Sequence, residues 1–315
     1  LGTTGSGTSV TSGAVLDLNG FTLSTAEALT LRGTGILSGG ALTNSSSTAA
    51  AYSGLITLGS ASSIVAGSGD INITNAGTIT GATYGLTLGG TGNGSVASII
   101  GTTSGTLTKA GAGTWTLSGA NTYTGLTTIS AGTLKLGAAG SGANTPLGTT
   151  GSGTSVTSGA VLDLNGYTLG TAEALTLNGT GITGGGALTN SSGTAASYSG
   201  LLTLGNASSI VAGSGDINIT NAGTITGATY GLTLGGTGNG SVASIIGTTS
   251  GTLTKAGAGT WTLSGANTYT GLTTISAGTL KLGAAGSGAN TPLGTTGSGT
   301  SVTSGAVLDL NGFTL

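Results

Sequence analysis

The chain has 315 residues, of which 68 are glycine and none is cysteine, methionine or histidine, and only 4% are charged, for a formal net charge of −2. Collagen is excluded because glycine does not recur at every third position and there are only 2 prolines. Disordered chains combine low hydrophobicity with high net charge, whereas this chain is 36% hydrophobic with a mean hydropathy of +0.37. The composition therefore predicts a folded protein built from sheet.

Several partners are excluded on the same grounds. Five basic residues spread along the chain form no basic patch, so no nucleic-acid partner is expected. No apolar run approaches the ~18 residues of a membrane-spanning helix, so this segment is not expected to insert into a membrane. No cofactor motif is present either. The chain starts and stops inside its own repeats, and we interpret it as a segment of a longer repetitive protein.

A long repeat organises the chain. The stretch "LGTTGSGTSVTSGAVLDLNG" starts at Leu1, Leu147 and Leu293, so the period is 147 − 1 = 146 residues. We therefore predict module 1 at 1–146, module 2 at 147–292, and the start of a third module at 293–315. The first two modules differ at nine positions, all between residues 21 and 60 of the first copy. A glycine-rich stretch at 137–154 is the best candidate for a linker, but similar stretches occur throughout, so no independent domain boundary is expected.

A shorter period lies inside the module. Short segments of alternating apolar and polar residues end in glycine or asparagine, which is typical of a half-buried strand meeting a turn. In chain order these segments are 14–20, 28–33, 54–60, 70–77, 84–90, 105–111 and 132–137. The intervals from Leu86 to Leu107, Leu107 to Leu134, and Leu134 to Leu162 are 21, 27 and 28 residues. Each interval matches one turn of a β-solenoid, which predicts about six coils per module.

The alternation also predicts which side chains face the core. Parallel stacking at ~4.8 Å per coil would place inward aliphatic side chains in continuous ladders and outward threonines in hydroxyl ladders. Glycine and asparagine supply the tight corners that each coil needs. The side chain of Thr108 should point outward. The leucines expected to point inward are Leu16, Leu18, Leu107, Leu134 and Leu136.

The stretch from Gly105 to Gly137, repeated unchanged from Gly251 to Gly283, resembles a known motif. That motif is the passenger-associated transport repeat of bacterial autotransporters, also called the autotransporter-associated β-strand repeat. The resemblance rests on Gly105, Leu107, Lys109, Gly111, Gly113, Leu117, Ser118, Gly119, Asn121, Tyr123, Gly125, Thr127, Ile129, Gly132 and Leu134. "AVLDLNGFTL" at 14–23 looks like a segment that often accompanies the repeat. The resemblance implies an all-β fold, a right-handed parallel β-helix (β-solenoid), displayed outside a bacterium.

The carboxylates are the candidate catalytic groups of the chain. Each module contributes three, which are Asp17, Glu27 and Asp70, with counterparts Asp163, Glu173 and Asp216. Asp17 and Glu27 could approach each other on neighbouring strands, as glycoside hydrolysis requires of two carboxylates ~5–10 Å apart. There is no histidine to assist them, and Arg32 is replaced by Asn178 in the second module, so no catalytic residue and no enzyme is predicted.

Four other features have competing interpretations. The stretch "GSGDINI" at 67–73 resembles a calcium-binding repeat, but one aspartate per module predicts a turn and no metal site. Lys109 and Lys135 are expected one coil apart, on or near matching strand positions, where they discourage edge pairing or solvate a face, with an isolated positive patch as the alternative. The aromatic residues Trp115, Tyr123, Tyr52 and Tyr84 are expected to pack at corners, with a sugar-stacking strip as the alternative. Asn44, Asn72 and Asn93 stand in formal glycosylation motifs, which are expected to arise by chance in a chain so rich in asparagine and threonine, with glycosylation as the alternative.

These observations predict a non-catalytic structural repeat of an extracellular bacterial fibre or surface filament. The expected partner is the protein itself, through continuous modules or head-to-tail contacts, with lateral association of rods left open. The alternative is an adhesin-type autotransporter passenger that binds a surface or a polysaccharide. Both interpretations place the chain outside the cell, at the bacterial cell surface.

Overall fold

The structure, a computed structural model, describes residues 1, 5–169, 171–297 and 299–315. In these ranges all regular structure is β-strand apart from two single 3-10 turns, at Ile36–Ser38 and Ile182–Gly184, and there is no α-helix. The chain divides into two compact units, Leu1–Thr154 and Ser155–Leu315. The predicted module boundaries follow the sequence repeat and stay a prediction.

The strands are short because a turn interrupts the chain every few residues. In the first unit they are β1 (Thr8–Val10), β2 (Leu16–Asp17), β3 (Thr22–Leu23), β4 (Leu29–Gly33), β5 (Leu42–Asn44), β6 (Ala50–Tyr52), β7 (Ile56–Ala66), β8 (Ile71–Ile73), β9 (Thr78–Thr80), β10 (Leu86–Gly90), β11 (Gly94–Val96), β12 (Ile99–Gly101), β13 (Leu107–Lys109), β14 (Thr114–Leu117), β15 (Thr127–Ile129) and β16 (Gly132–Leu136). Each of the seven segments predicted as strands overlaps one, although β7 continues beyond its predicted segment, 54–60, to Ala66.

From the unit boundary onward the same pattern recurs. The strands are β17 (Thr154–Val156), β18 (Ala160–Asp163), β19 (Leu175–Gly179), β20 (Leu188–Asn190), β21 (Ala196–Tyr198), β22 (Leu202–Ala212), β23 (Ile217–Ile219), β24 (Thr224–Ile225), β25 (Leu232–Gly236), β26 (Gly240–Val242), β27 (Ile245–Ile246), β28 (Leu253–Lys255), β29 (Thr260–Leu263), β30 (Thr273–Ile275), β31 (Thr279–Leu282), β32 (Asn290–Thr291), β33 (Gly294–Thr295), β34 (Thr300–Val302) and β35 (Val307–Asp309).

Parallel pairing stacks these strands into coils. On one face of the first unit β3 pairs with β6, then β8, β11, β14 and β16 follow in order, each parallel to the one before. This face contributes one strand per coil, so the first unit contains six coils. The same order recurs in the second unit from β21 through β23, β26 and β29 to β31. The fold is therefore a parallel β-solenoid with about six coils per repeat, as the sequence predicted.

A second face shows how the ladders form. One inward ladder of the first unit consists of Leu16, Leu42, Ile64, Leu88, Lys109 and Ile129. Successive members are 26, 22, 24, 21 and 20 residues apart along the chain. The unequal steps reflect turns of different length, while the strands keep their register from coil to coil.

One of the three predicted coil intervals is wrong. Leu86 lies beside Leu107, as the 21-residue interval required. Leu107, however, pairs with Thr127, and Leu134 pairs with Trp115 on another face. The 27-residue interval therefore joins two faces and is not one coil. A 28-residue step equivalent to the third interval does occur in the second unit, between Leu280 and Leu308.

The predicted side-chain directions are confirmed with one qualification. Leu18, Leu107, Leu134 and Leu136 are buried. Leu16 is half-buried. Its strand, β2, lies in the first coil and is paired with β5 alone among the described strands. Thr108 lies between the buried side chains of its own strand and is partly exposed.

This difference gives a direct test of the strand's orientation. Leu107→Ala should lower the free energy of unfolding by ~2–5 kcal/mol, because it leaves a cavity inside a packed ladder. Thr108→Ala should change it by no more than ~0.5 kcal/mol, as for other partly exposed positions. Urea unfolding followed by circular dichroism measures both changes. Equal effects would show that the assigned orientation of this strand is wrong.

Candidate functional site

A lysine occupies the interior of the aliphatic ladder. Lys109 lies between Leu88 and Ile129 and has no solvent exposure. Its Nζ donates hydrogen bonds to three backbone carbonyls, those of Ala110 at 2.9 Å, Gly111 at 2.8 Å and Ala131 at 2.9 Å. An ammonium group has three donors, so these three acceptors satisfy it without a counter-ion. We call this arrangement the lysine clamp.

The clamp is present in each unit and corrects the sequence-based expectation. Lys255 is equally buried and bonds to the carbonyls of Ala256, Gly257 and Ala277. Lys109 and Lys135 do not occupy matching positions of one face, since Lys135 pairs with Thr116 on another strand. The signal was present in the sequence: in "LTK" the alternation that turns Leu107 inward turns Lys109 inward too.

Burial changes the acid–base behaviour of the clamp. It lowers the pKa of Lys109 and of Lys255 from 10.5 to about 8, because the interior disfavours the charged ammonium. Buried tyrosines shift the other way. Burial, with a smaller effect of Glu27, raises the pKa of Tyr52 to about 12, and burial raises the pKa of Tyr198 and Tyr269 as well.

These shifts predict a maximum of stability near pH 10. Between pH 8 and 10.5 the unfolded lysines hold protons that the folded ones release, so stability should rise with pH by up to ~1.4 kcal/mol per pH unit for each lysine. Above pH ~10 the unfolded tyrosines lose protons that the folded ones keep, so stability should fall. Urea midpoints from pH 7 to 11 measure this. A flat profile between pH 8 and 10 would show that the three carbonyls keep the folded ammonium charged.

Of the four aromatic residues named from the sequence, three pack inside the coils, as expected, and the four form no sugar-stacking strip. Trp115, Tyr123 and Tyr52 have no exposed surface, whereas Tyr84 is 38% exposed. The indole N–H of Trp115 donates to the carbonyl of Gly89 at 3.0 Å. A Cβ on Gly94 would lie 2.6 Å from the indole ring, so the preceding coil needs glycine beside this tryptophan.

Buried asparagines brace the corners of the coils. The Asn44 amide donates to the carbonyls of Thr48 and Asp70 at 2.8 Å and accepts from the Gly20 N–H at 2.9 Å. Because Asn44 is fully buried with its amide engaged, it is no glycosylation acceptor. Asn72 is half-buried and Asn93 is exposed, so of the three motifs named in the first module these two are accessible.

The carboxylates are engaged separately. Asp17 accepts from the N–H groups of Asn19 and Ser45, at 2.9 and 3.0 Å, and from the Ser45 hydroxyl at 2.5 Å. Burial raises the pKa of Asp17, but these hydrogen bonds outweigh it and hold the pKa below its usual value. Glu27 is buried and accepts from the Thr8 hydroxyl at 2.5 Å. The two carboxylates thus accept hydrogen bonds from different segments of the chain and share no hydrogen-bonding partner among those observed.

Asp70 occupies a turn. It accepts from the N–H of Asn93 at 3.1 Å. Among the residues that the structure describes, no group of three or more acidic, histidine or cysteine side chains could hold a metal ion. In the same ranges no helix has the length and apolarity needed to cross a membrane.

Each unit carries a groove on its outer surface. The first groove, of about 270 Å³, is lined by Thr34, Ser38, Ser63, Val65, Thr87, Gly89, Gly90 and Ala110. The second groove, of about 340 Å³, is lined by Thr180, Gly184, Ser209, Val211, Thr233, Gly235, Gly236, Ala256 and Gly257. The first eight residues of the second set are the 146-residue counterparts of the first set. Sequence reasoning missed both grooves, because their residues come from different coils.

The geometry defines a β-solenoid whose buried lysine, tryptophan and asparagine side chains hold the turns. The family model of the passenger-associated-transport-repeat matches residues 107–136 and 253–282, so the chain carries two copies of this repeat. The lysine clamp and Trp115 lie inside the first copy, with their counterparts inside the second. The resemblance stated from the sequence is thereby confirmed.

A curated relative extends the likeness. The chain is 38% identical over 171 residues to the adhesin BmaC autotransporter of Brucella suis biovar 1 (strain 1330). The match covers 54% of this chain and 4% of that protein, so the chain corresponds to a small part of the relative. No solved structure matches the chain significantly.

Proposed function

We propose that the chain is a non-catalytic segment of an adhesin-type autotransporter passenger, held at the bacterial cell surface. The observation that carries this proposal is the likeness to a protein named an autotransporter adhesin, together with two transport repeats on a β-solenoid. In this role the solenoid presents an outer surface to a host surface or a polysaccharide.

The chemistry of the interior supports a role without catalysis. The buried ammonium groups of Lys109 and Lys255 donate all their hydrogen bonds to backbone carbonyls, so they have no donor left for a substrate. Asp17 and Glu27 accept hydrogen bonds from different segments, Asp17 from Ser45 and Glu27 from Thr8. Outward positions offer mainly hydroxyl groups, as in the row Thr87, Thr108 and Thr128. Hydroxyl-rich, nearly uncharged faces suit contact with neutral polar surfaces.

Adhesion can be measured with the purified chain. Latex beads coated with the folded chain should be retained on cultured epithelial cells or on immobilised polysaccharide above the level of albumin-coated beads. Beads coated with heat-unfolded chain control for non-specific stickiness. If folded-chain beads are retained no better than either control, the adhesin proposal fails.

A structural fibre is the second candidate, and the near-identity of the 146-residue modules favours it. Successive modules, or head-to-tail contacts between chains, would extend a rod, since a heterologous contact that does not close propagates into a filament. Electron microscopy and sedimentation of the purified chain test this: rods or fibres support it, and a dispersed monomer at high concentration argues against it.

A further inference from the structure

We propose that the first and second grooves are equivalent binding sites, each for one neutral sugar residue of a surface polysaccharide. The inference rests on the proposed adhesin function and assigns its binding site. The two grooves are built from the same residues 146 positions apart, with Ser38 replaced by Gly184. Two equivalent weak sites on one chain would strengthen attachment to a repeating polymer through multivalency.

The hollow arises at a glycine that packing does not require. Gly89 lies between Val65 and its neighbour in the next coil, Ala110. A Cβ on Gly89 would have its nearest neighbours at 3.7 Å or more, which is ordinary contact. At the adjacent Gly90, by contrast, a Cβ would lie 1.8 Å from the Ala66 carbonyl oxygen. A Cβ would therefore fit above Gly89 in ordinary van der Waals contact, at a position where the glycine leaves that space unfilled.

The lining matches the two-sided chemistry of a sugar. Val65, Ala110 and the threonine methyl groups provide apolar surface for a sugar's C–H groups, and Thr34 and Thr87 provide hydroxyls. None of the described lining residues is charged, which disfavours an ionic ligand. The volumes lie near the lower end of the ~300–1,000 Å³ range of small-molecule sites, so a single ring fits better than a longer ligand.

A buried serine hydroxyl without a hydrogen-bonding partner lies in the wall of each groove and points to a polar ligand. Ser63 and its counterpart Ser209 each line a groove, are 3% exposed, and have hydroxyl oxygens without a hydrogen-bonding partner. A buried hydroxyl left unpaired destabilises a protein, so such groups are normally satisfied. A ligand hydroxyl entering the groove would supply the missing partner after a rotation about the serine Cα–Cβ bond.

The floor of the groove is fixed from inside the solenoid. The carbonyl of Gly89 accepts from Trp115, and the carbonyl of Ala110 accepts from the ammonium of Lys109. The second floor has the same bonds, from Trp261 to Gly235 and from Lys255 to Ala256. A floor held in this way is preorganised, so binding loses little conformational entropy. The transport repeat thus supplies the support on which the groove is built.

The test uses the whole chain and a panel of neutral oligosaccharides: cellotetraose, maltotetraose, mannotetraose and chitotetraose. Saturation-transfer NMR and calorimetry should show weak binding of at least one probe at two equivalent sites. The double variant Gly89→Val/Gly235→Val should fill both grooves and weaken binding at least tenfold. Gly151→Val/Gly297→Val is the matched control, because both glycines are exposed, have room for a Cβ and lie outside the grooves.

A second pair of changes separates recognition from folding. Ser63→Ala/Ser209→Ala should weaken binding severalfold and leave the melting temperature unchanged or higher, since it removes unpaired hydroxyls. The inference is overturned if no probe binds, or if the valine variant binds the probes as well as the parent chain does. It is also overturned if the valine variant loses only self-association, because the grooves would then bind a second copy of the chain. If beads coated with the valine variant are still retained, only the assignment of the binding site to the grooves is wrong. If beads coated with the parent chain are not retained, the adhesin proposal itself is wrong.

Discussion

Replacing both clamp lysines, Lys109→Met with Lys255→Met, should destabilise each unit by ~3–5 kcal/mol. Methionine fills much of the lysine volume but cannot donate, so three carbonyls in each unit lose their partner inside the core. Each buried polar group left unpaired costs about 1–3 kcal/mol. The measurement is urea unfolding near pH 7, where the lysines are mainly charged.

Lys135→Met with Lys281→Met is the matched control. Lys281 lies 3.6 Å from Asp309 with 36% of its side chain exposed, and exposed ion pairs of this kind contribute only ~0–1 kcal/mol. Reductive methylation of the parent chain should also modify Lys135 and Lys281 before Lys109 and Lys255. Equal destabilisation by the two double variants, or equal methylation, would contradict the clamp.

Replacing the two buried tryptophans, Trp115→Ala with Trp261→Ala, should destabilise each unit by ~3–5 kcal/mol. The indole of Trp115 fills the space opposite Gly94 and also donates to Gly89, so alanine leaves a cavity and an unpaired carbonyl. Tyr84→Ala, at the partly exposed aromatic position, should have a much smaller effect. Circular dichroism during thermal unfolding measures both variants against the parent chain.

A double-mutant cycle sharpens the tryptophan test. Gly94→Ala alone should be destabilising, because its methyl group would meet the indole at 2.6 Å. The double variant Gly94→Ala/Trp115→Leu should lose less stability than the two single variants lose together. Leucine removes the ring that the added methyl group would meet, and the methyl group fills part of the cavity that the tryptophan leaves. Strict additivity would show that these residues do not pack against each other.

If both lysine and tryptophan variants behave as expected, the transport repeat has a defined structural role. Its lysine and tryptophan tie the inner sides of consecutive coils together, while the outward positions of the same strands remain hydroxyls. Such a unit can be copied many times without changing its interior. This property suits either of the proposed functions, a long fibre or an adhesin that displays the same groove repeatedly.

The sequence by itself determined the all-β solenoid, the coil number and the inward direction of most of the leucines tested. It could do so because alternation has a period of two and glycine marks the turns, so both signals are local. The burial of Lys109 was contained in the same alternation, but the charge of the side chain suggested a solvated position. Three unused carbonyls at a glycine-rich turn, contributed by two coils, decide otherwise.

Tertiary structure alone decided which residues become neighbours across coils. Turn lengths differ, so the step between stacked residues varies, and Leu107 meets Thr127 while Leu134 meets Trp115 on another face. The grooves depend on this register, because Gly89 leaves a hollow only when Val65 and Ala110 flank it. Residues more than twenty positions apart are brought together by backbone pairing between coils, and no local pattern in the chain specifies that register.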